Sequence, residues 1–338
     1  MTADVPIVPP EHEGDVTLFA LAHDASGVAV GSGWTDLNQR GLLHVGGADA
    51  EVFLQGQLTQ DMGRVRAGRS LLAAHCTPKG RVSTLFRAWP CDDGFLLDCP
   101  AALQASALRR LRLYVLRARV VITEVADQWH RVGLYGDQAA DWLTALDLPV
   151  VDHGSTLMNA GAHRMLRMGP TRWQVLSPRA PGLALAAGLA ATSGQATNPQ
   201  GWQLASVRAG EPEVLPGSVE AFIPQMLNLD QLDGVSFRKG CYTGQEIVAR
   251  SHYLGKVKRR MQHLAYHGAT APQAGQAVPL AGVAVDPAVA PREDDSAAAV
   301  SALAHGEIVY AVQTHAEGGE ALAVVRVIDT GTAANTPS

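Results

Sequence analysis

The sequence predicts an α+β protein of two or three domains. Strand-like and helix-like segments alternate along the first two thirds of the chain, without an internal repeat. One part of this region has the strand–helix–strand–strand–helix order of a ferredoxin-like domain. After residue 256 only strand patterns occur, which favours a small β-barrel. A chain of 338 residues is long enough for several domains with their own cores.

The first domain is predicted to comprise residues 1–128. Pro78 and Gly80 mark a tight turn between two of its strands, because Pro presets one turn angle and Gly relieves another. Its predicted elements are a strand at 34–45, a helix at 50–58, strands at 73–76, 82–89 and 95–98, a helix at 100–113 and a strand at 120–122.

The second domain is predicted to comprise residues 129–201 and to be ferredoxin-like. A further strand at 202–206 would follow it, and residues 202–255 would then return to the first domain. The predicted elements of this part are a strand at 131–134, a helix at 137–146, strands at 164–168 and 173–176, a helix at 181–191 and a loop at 194–201.

The third domain, residues 256–338, is the predicted barrel. A strand is expected at 256–267, and an antiparallel pair at 306–312 and 321–327. The stretch 287–299 is rich in Ala, Pro and acidic residues, which breaks both periodicities, so we expect an exposed loop there.

The composition is typical of a globular protein without a general attraction for nucleic acid. Hydrophobic residues make up 47% of the chain and charged residues 17%, and the formal net charge is −5. No apolar run of about 18 residues occurs, so no membrane partner is expected. Residues 1–15 carry four acids and no Lys or Arg, unlike a secretory or transit peptide. We expect a cytoplasmic protein.

The strongest chemical signal is the octapeptide Lys239-Gly240-Cys241-Tyr242-Thr243-Gly244-Gln245-Glu246. Within it, Thr243 and Glu246 are three residues apart and precede an apolar pair, which is the pattern of a capping box at a helix start. Cys241 would then lie just outside a helix N-terminus. The helix dipole and the neighbouring Lys239 would favour its thiolate, which predicts a catalytic pair of Cys241 and Lys239.

Two glycines of the octapeptide, Gly240 and Gly244, would let a flat ligand or a partner's backbone approach the sulfur closely. The alternative for Cys241 is a small buried hydrophobe, which is the commoner role of a lone cysteine. The four cysteines form no C-x-x-C pair, so neither a stably bound metal nor a resident cluster is expected; they are Cys76, Cys91, Cys99 and Cys241.

Four segments in order resemble the YgfZ family of folate-binding proteins. The octapeptide resembles the family's K-G-C-Y-x-G-Q-E signature. Residues 53–61 resemble its F-L-Q-G-Q-x-T-x-D segment, and residues 76–81 its x-x-P-K-G-R turn. Residues 208–212, followed by 222–225, match a further segment. Together these segments span most of residues 34–260.

This resemblance implies a fold similar to the glycine-cleavage T-protein, with three domains in a ring around a central tetrahydrofolate site. It also implies a role in the assembly or repair of iron–sulfur enzymes, with iron–sulfur client or assembly proteins as partners. The residues carried over as candidate folate ligands are Gln57, Thr59, Arg208 and Glu211. Their alternative roles are structural: Gln57 would cap its helix, and Arg208 would pair with Glu211.

The chain departs from the T-protein after the Lys79-Gly80 turn. The T-protein carries a pair of aspartates there, whereas this chain has Arg81-Val82-Ser83-Thr84. Ser and Thr cannot hold the negative charge that aminomethyl transfer needs at this place. A folate-dependent aminomethyltransferase remains an alternative, and the missing aspartates make it the weaker one. A folate-dependent tRNA-modification factor is another alternative.

Nucleic acid is not an expected partner, given the negative net charge. The densest basic run is Lys256, Lys258, Arg259 and Arg260, which we expect to be a solvated strand face. Its alternatives are an anchor for the glutamate tail of folate or a contact to RNA. His263 and His267 are four apart on a predicted strand, about 13 Å, which is too far for one metal ion, so both are expected to face solvent.

Overall fold

The computed structural model describes residues 16–20, 31–37, 39–150, 154, 156–195, 197–255, 257–281 and 305–326. Within this part of the chain, fifteen strands form three five-stranded sheets, one of which closes into a barrel. This confirms the predicted α+β class. The loop predicted at 287–299 lies outside the described residues.

The strands and helices have the following bounds. The strands are β1 (Thr17–Ala20), β2 (Gly33–Asp36), β3 (Arg40–Gly46), β4 (Leu71–Cys76), β5 (Val82–Cys91), β6 (Gly94–Pro100), β7 (Val121–Glu124), β8 (Trp129–Tyr135), β9 (Met158–Ala160), β10 (His163–Gly169), β11 (Arg172–Pro178), β12 (Arg259–His267), β13 (Ala277–Ala281), β14 (His305–His315) and β15 (Gly318–Arg326). The helices are α1 (Ala50–Gln57), α2 (Met62–Arg66), α3 (Ala101–Arg112), α4 (Ala139–Ala145), α5 (Arg179–Ser193), α6 (Pro199–Arg208) and α7 (Gln245–Tyr253), with 3-10 turns at Pro216–Ser218 and Pro224–Leu227.

The first sheet is antiparallel and has the strand order β4-β5-β6-β3-β7. Helices α1, α2 and α3 contribute to its core through Phe53, Leu54, Val65 and Leu111, which pack with Phe86 and Phe95 of the sheet. Removal of these side chains from water is the main contribution to the stability of this layer. The helix predicted at 50–58 and the turn after Cys76 are both present, with Gly80 at φ +69°.

The second sheet has the order β2-β8-β11-β10-β9. Strands β8, β10 and β11 correspond to the first three strands of a ferredoxin-like unit. The fourth strand of such a unit pairs with the first, and here β2 takes that place beside β8. The predicted strand at 202–206 is wrong, because this segment lies inside helix α6. Asn198 accepts a hydrogen bond from the Gly201 N–H at 3.0 Å, and Pro199 occupies the first helical position, so both standard signals of a helix start are present.

The third sheet is the barrel, with the order β1-β12-β15-β14-β13, closed by pairing of β1 with both β12 and β13. Two strands therefore belong to other sheets than the domain prediction for their residues implies. The domain prediction assigned all of residues 1–128 to the first domain, but β1 belongs to the barrel and β2 to the second sheet. The single strand predicted at 34–45 is two strands, β2 and β3, in different sheets.

No helix among the described residues is long and apolar enough to cross a membrane.

Candidate functional site

The four family-like segments pack together in the fold. The N–H of Thr243 contacts the Gly56 carbonyl oxygen at 3.4 Å, which joins the octapeptide to the end of helix α1. On the other side, the octapeptide lies against the 77–80 turn. Gln225, from the fourth segment, donates its amide N–H to the Val248 carbonyl oxygen of α7 at 2.7 Å. These parts of the four segments, which are distant in sequence, are therefore adjacent in the fold.

Close packing at Gly244 fixes the start of helix α7. Gly244 has φ +80°, and a Cβ built on it would lie 2.4 Å from the Thr77 carbonyl oxygen and 3.0 Å from Gly80 Cα. The predicted capping box of Thr243 and Glu246 is wrong. Gly244, which has no side chain, is the residue at the N-cap, and α7 begins at Gln245 without a side-chain cap.

Lys239 anchors the octapeptide to the first domain. Its ammonium donates to the carbonyl oxygens of Leu58 and Gln60, each at 2.7 Å, and lies 5.2 Å from the centre of the Tyr242 ring. Burial lowers the pKa of Lys239 to about 8, although Asp61 opposes the shift. The ammonium is therefore directed at backbone oxygens at the end of α1, which gives Lys239 a positioning role.

Tyr242 is the buried aromatic residue of the octapeptide and is 7% exposed. Burial, with a smaller effect of Cys76, raises the pKa of its phenol. Together, the Tyr242 ring and the Lys239 ammonium hold the chain on either side of Cys241, so that this residue points outward while its neighbours are fixed.

Cys241 is exposed. It lines a shallow depression together with Gly240 and with Val52, Gln55 and Gly56 of α1. The charged side chains that line the depression are Glu51 and Asp61; of the described lining residues, none is Lys or Arg. The expected electropositive surroundings of the sulfur are therefore not found, because Lys239 turns toward the carbonyl oxygens of α1.

A separate cavity of about 310 Å³ lies where the three sheets meet. Phe86 comes from the first sheet, Met168 from the second and Tyr310 from the barrel, while Trp202 of α6 forms a further wall. Cys241 is not among the described residues that line this cavity.

Two acidic residues and two arginines provide the charged groups that line the cavity: Glu211, Glu213, Arg40 and Arg87. Glu213 bonds to Arg40, which also bonds to the fully buried Asp98. Glu211 bonds to Arg87 at 2.5 Å and to Arg172 at 2.7 Å. Burial alone would raise the pKa of Glu211, but Arg87 and Arg172 outweigh it and lower the pKa to about 2.

These residues fit a folate. One edge of a pterin ring carries an amino N–H and a ring N–H, which a carboxylate can accept together, next to a carbonyl oxygen that a guanidinium can donate to. Glu213 and Arg40 offer this combination on the wall of a cavity whose other walls are largely apolar. Such a lining, with few polar groups, is typical of small-molecule sites.

Of the four predicted folate ligands, only Glu211 lines this cavity. The Thr59 hydroxyl is fully buried, where it donates to the Gly234 carbonyl oxygen at 2.7 Å and accepts from the Ala74 N–H at 2.9 Å. Gln57 has a buried side-chain oxygen without a partner among the described residues. Arg208 binds Glu320 of the barrel, rather than Glu211. Thr59 and Arg208 thus hold elements together.

Three charged residues of the cavity were not predicted from the sequence: Arg40, Arg87 and Glu213. Glu213 lies two residues after the predicted Glu211, so its proximity in sequence was an available signal. Arg40 and Arg87 lie in strands outside the matched segments, and tertiary structure alone brings them to the cavity.

The basic run near the start of β12 is engaged in ion pairs. Arg260 binds Asp230 at 2.8 Å and Arg259 binds Glu307 at 3.2 Å, while Lys256 lies outside the described residues. His263 does not face solvent as expected, because its Nε2 lies 2.7 Å from Glu320. Ser83, which follows the 77–80 turn, donates its hydroxyl to the His75 carbonyl oxygen at 3.0 Å.

The Glu211 ion pairs predict a loss of stability in acid. Because the pKa of Glu211 is lowered from 4.5 to about 2, its contribution to the free energy of unfolding is fully present above pH 4.5 and disappears as the pH falls through 2. We expect the wild type to lose about 3 kcal/mol more than Glu211→Gln over this window. Urea unfolding at several pH values measures the difference, and parallel pH profiles would contradict it.

The fold places this protein among those with an aminomethyltransferase T-protein fold. The aminomethyltransferase T of the glycine cleavage system from Bartonella henselae superposes with a TM-score of 0.56, covering 93% of this chain and 79% of that one, at 14% identity. Curated relatives identify the family. The chain is 34% identical over 247 residues to "tRNA-modifying protein YgfZ" of Enterobacter sp. (strain 638), covering 72% of this chain and 75% of that protein.

The protein of the same name from Escherichia coli O7:K1 is 32% identical over 246 residues, with the same coverage. The chain therefore belongs to the YgfZ family, as the four segments predicted. No family model matches the sequence.

Proposed function

We propose that this protein binds a reduced folate, tetrahydrofolate or a derivative, in the central cavity and acts through the exposed thiol of Cys241 in the assembly or repair of iron–sulfur enzymes. The observation that carries the proposal is the arrangement of the octapeptide. The Lys239 ammonium is hydrogen-bonded to the first domain and Tyr242 is buried, while Cys241 between them is exposed. A chain segment fixed on both sides of one accessible sulfur is suited to present that sulfur to a partner.

The geometry favours one role for the sulfur over another. A thiol that reacts with the one-carbon unit of folate would have to reach the folate. The depression around Cys241 shares no described lining residue with the central cavity. A thiol that receives a persulfide or ligates a cluster in transit must be reachable by another protein, and Cys241 meets this requirement. The partners we propose are therefore iron–sulfur client or assembly proteins.

When bound, the folate would supply the one-carbon chemistry, and the chain's own residues would bind and orient it. Glu213 would accept from the amino edge of the pterin, and Arg40 would donate to its carbonyl oxygen. Glu211, held by Arg87 and Arg172, would keep the cavity wall in place.

Rescue of a strain that lacks the gene tests the role of the sulfur. We expect Cys241→Ser to abolish rescue of iron–sulfur enzyme activity while the free energy of unfolding stays within about 0.5 kcal/mol of the wild type, because the residue is exposed. Calorimetric titration with tetrahydrofolate should show unchanged binding to this variant. It should show about tenfold weaker binding to Glu213→Gln, which loses a charged acceptor. Full rescue by Cys241→Ser would refute the proposal.

A second candidate function is folate-dependent tRNA modification, which the printed names of the curated relatives favour. Two measurements in cells with and without the protein separate the candidates: the modified nucleosides of tRNA, and the activity of an iron–sulfur enzyme that does not act on RNA. A loss of both supports the iron–sulfur role. A loss of modified nucleosides alone supports the second candidate.

A further inference from the structure

A second cluster of reactive side chains lies at the far end of the β5–β6 hairpin. His44 comes from β3, Cys91 ends β5, and Asp93 lies in the turn that leads into β6. None of the three is among the described residues that line the central cavity or the depression around Cys241. The cluster is therefore distinct from both of these sites.

The three potential ligand atoms converge. His44 Nε2 lies 3.0 Å from Asp93 Oδ1, and Cys91 Sγ lies 3.7 Å from the same oxygen. All three atoms lie within 4.8 Å of one another. In a tetrahedral zinc site, the usual metal–ligand lengths put neighbouring ligand atoms about 3.3 to 3.6 Å apart. Small side-chain movements would bring the three atoms to one face of such a site.

The backbone is shaped to allow this convergence. A Cβ on Gly46 would lie 2.6 Å from His44 Cε1, so the imidazole occupies space that any other residue at position 46 would fill. A Cβ on Gly94 would lie 2.1 Å from the Val45 carbonyl oxygen, so Gly94 lets the turn close onto β3. These two glycines bring the turn and the imidazole together.

The nearby cations are already engaged. Arg66 binds Glu51 and stacks on the Phe95 ring, and it donates to the Cys91 carbonyl oxygen rather than to the sulfur. Arg164 lies over the Trp129 ring and 3.9 Å from Asp92. The Asp93 carboxylate is 77% exposed, so a cation can reach it from solvent.

We propose that His44, Cys91 and Asp93 form a binding site for a borderline divalent cation of the zinc class. One nitrogen, one sulfur and one oxygen ligand suit such a cation, and three protein ligands leave a fourth position for water. Binding replaces the proton of the Cys91 thiol with the cation and releases that proton to solvent. The proposal departs from the sequence-based expectation of no bound metal, because that expectation considered only cysteine spacing.

Cobalt(II) is the probe, because a cobalt–thiolate bond gives a near-ultraviolet charge-transfer band. We expect the purified full-length protein to show this band on titration with Co²⁺, and Zn²⁺ to displace it. Cys91→Ser should abolish the band, whereas the matched control Cys241→Ser should retain it. His44→Gln and Asp93→Asn should each weaken Co²⁺ binding about tenfold or more, with circular dichroism confirming that each variant is folded.

Three results would overturn the proposal. The first is a wild-type protein without the band. The second is a band that is lost in Cys241→Ser and retained in Cys91→Ser, which would place the metal at the exposed cysteine. The third is Co²⁺ affinity unchanged in both His44→Gln and Asp93→Asn, which would leave a single thiol as the only ligand.

Discussion

Gly244→Ala is expected to lower the free energy of unfolding by about 3 kcal/mol. Gly244 has φ +80°, which costs a residue with a side chain about 1 kcal/mol. The added methyl would also lie 2.4 Å from the Thr77 carbonyl oxygen, and this backbone atom cannot move without displacing the 77–80 turn. Urea unfolding measures the loss.

Gly240→Ala is the matched control. Gly240 lies four residues earlier in the same octapeptide, has a φ outside the left-handed region, and has open space where its Cβ would be. We expect a change within about 0.5 kcal/mol. Equal effects of the two substitutions would show that contact with the 77–80 turn does not fix the octapeptide.

Asp98→Asn is expected to destabilise the protein by about 3 to 5 kcal/mol, since it leaves buried positive charge without its partner. Asp98 is fully buried, where it bonds to Arg40 and lies 3.8 Å from Arg131. Burial alone would lower the pKa of Arg40, but Asp98 and Glu213 raise it above its usual value. An arginine side chain is not deprotonated in proteins, so this guanidinium keeps its charge when Asp98 is replaced. Thermal and urea unfolding measure the change.

The matched control for this prediction is Asp92→Asn. Asp92 is fully exposed and lies 3.9 Å from Arg164, and such surface pairs contribute little. A loss below about 1 kcal/mol in Asp98→Asn would mean that Arg40 and Arg131 find other partners. Arg40 also lines the central cavity. If the cavity binds folate as proposed, the affinity of Asp98→Asn should be lower even at temperatures where the variant remains folded.

Sequence periodicity predicted the helices and strands of the first sheet well, because each presents a regular buried face. It failed at residues 202–206, where Trp202 and Leu204 suggested a strand although Asn198 and Pro199 signal a helix start. The local pattern could not predict which sheets β1 and β2 belong to, since each pairs with a strand about 100 to 250 positions away.

The candidate site also has features that the sequence predicted and features that it did not. Cys241 and its motif were recognisable from residues alone, because a signature occupies contiguous positions. The surroundings of the sulfur were not, since the direction of the Lys239 side chain depends on carbonyl oxygens 179 and 181 positions away. Likewise Thr59 and Arg208 occur in matched segments, yet their bonds to Gly234 and Glu320 are a consequence of tertiary structure.

The pairing of Thr17 with His267 has a consequence for biosynthesis. β1 is made about 250 residues before β12, so it must wait until that later segment has left the ribosome before its neighbour exists. Such closure over a long loop is slow and leaves the early strand open to wrong partners in the meantime. The barrel should therefore become resistant to protease later than the first sheet, whose strands are closer together in sequence.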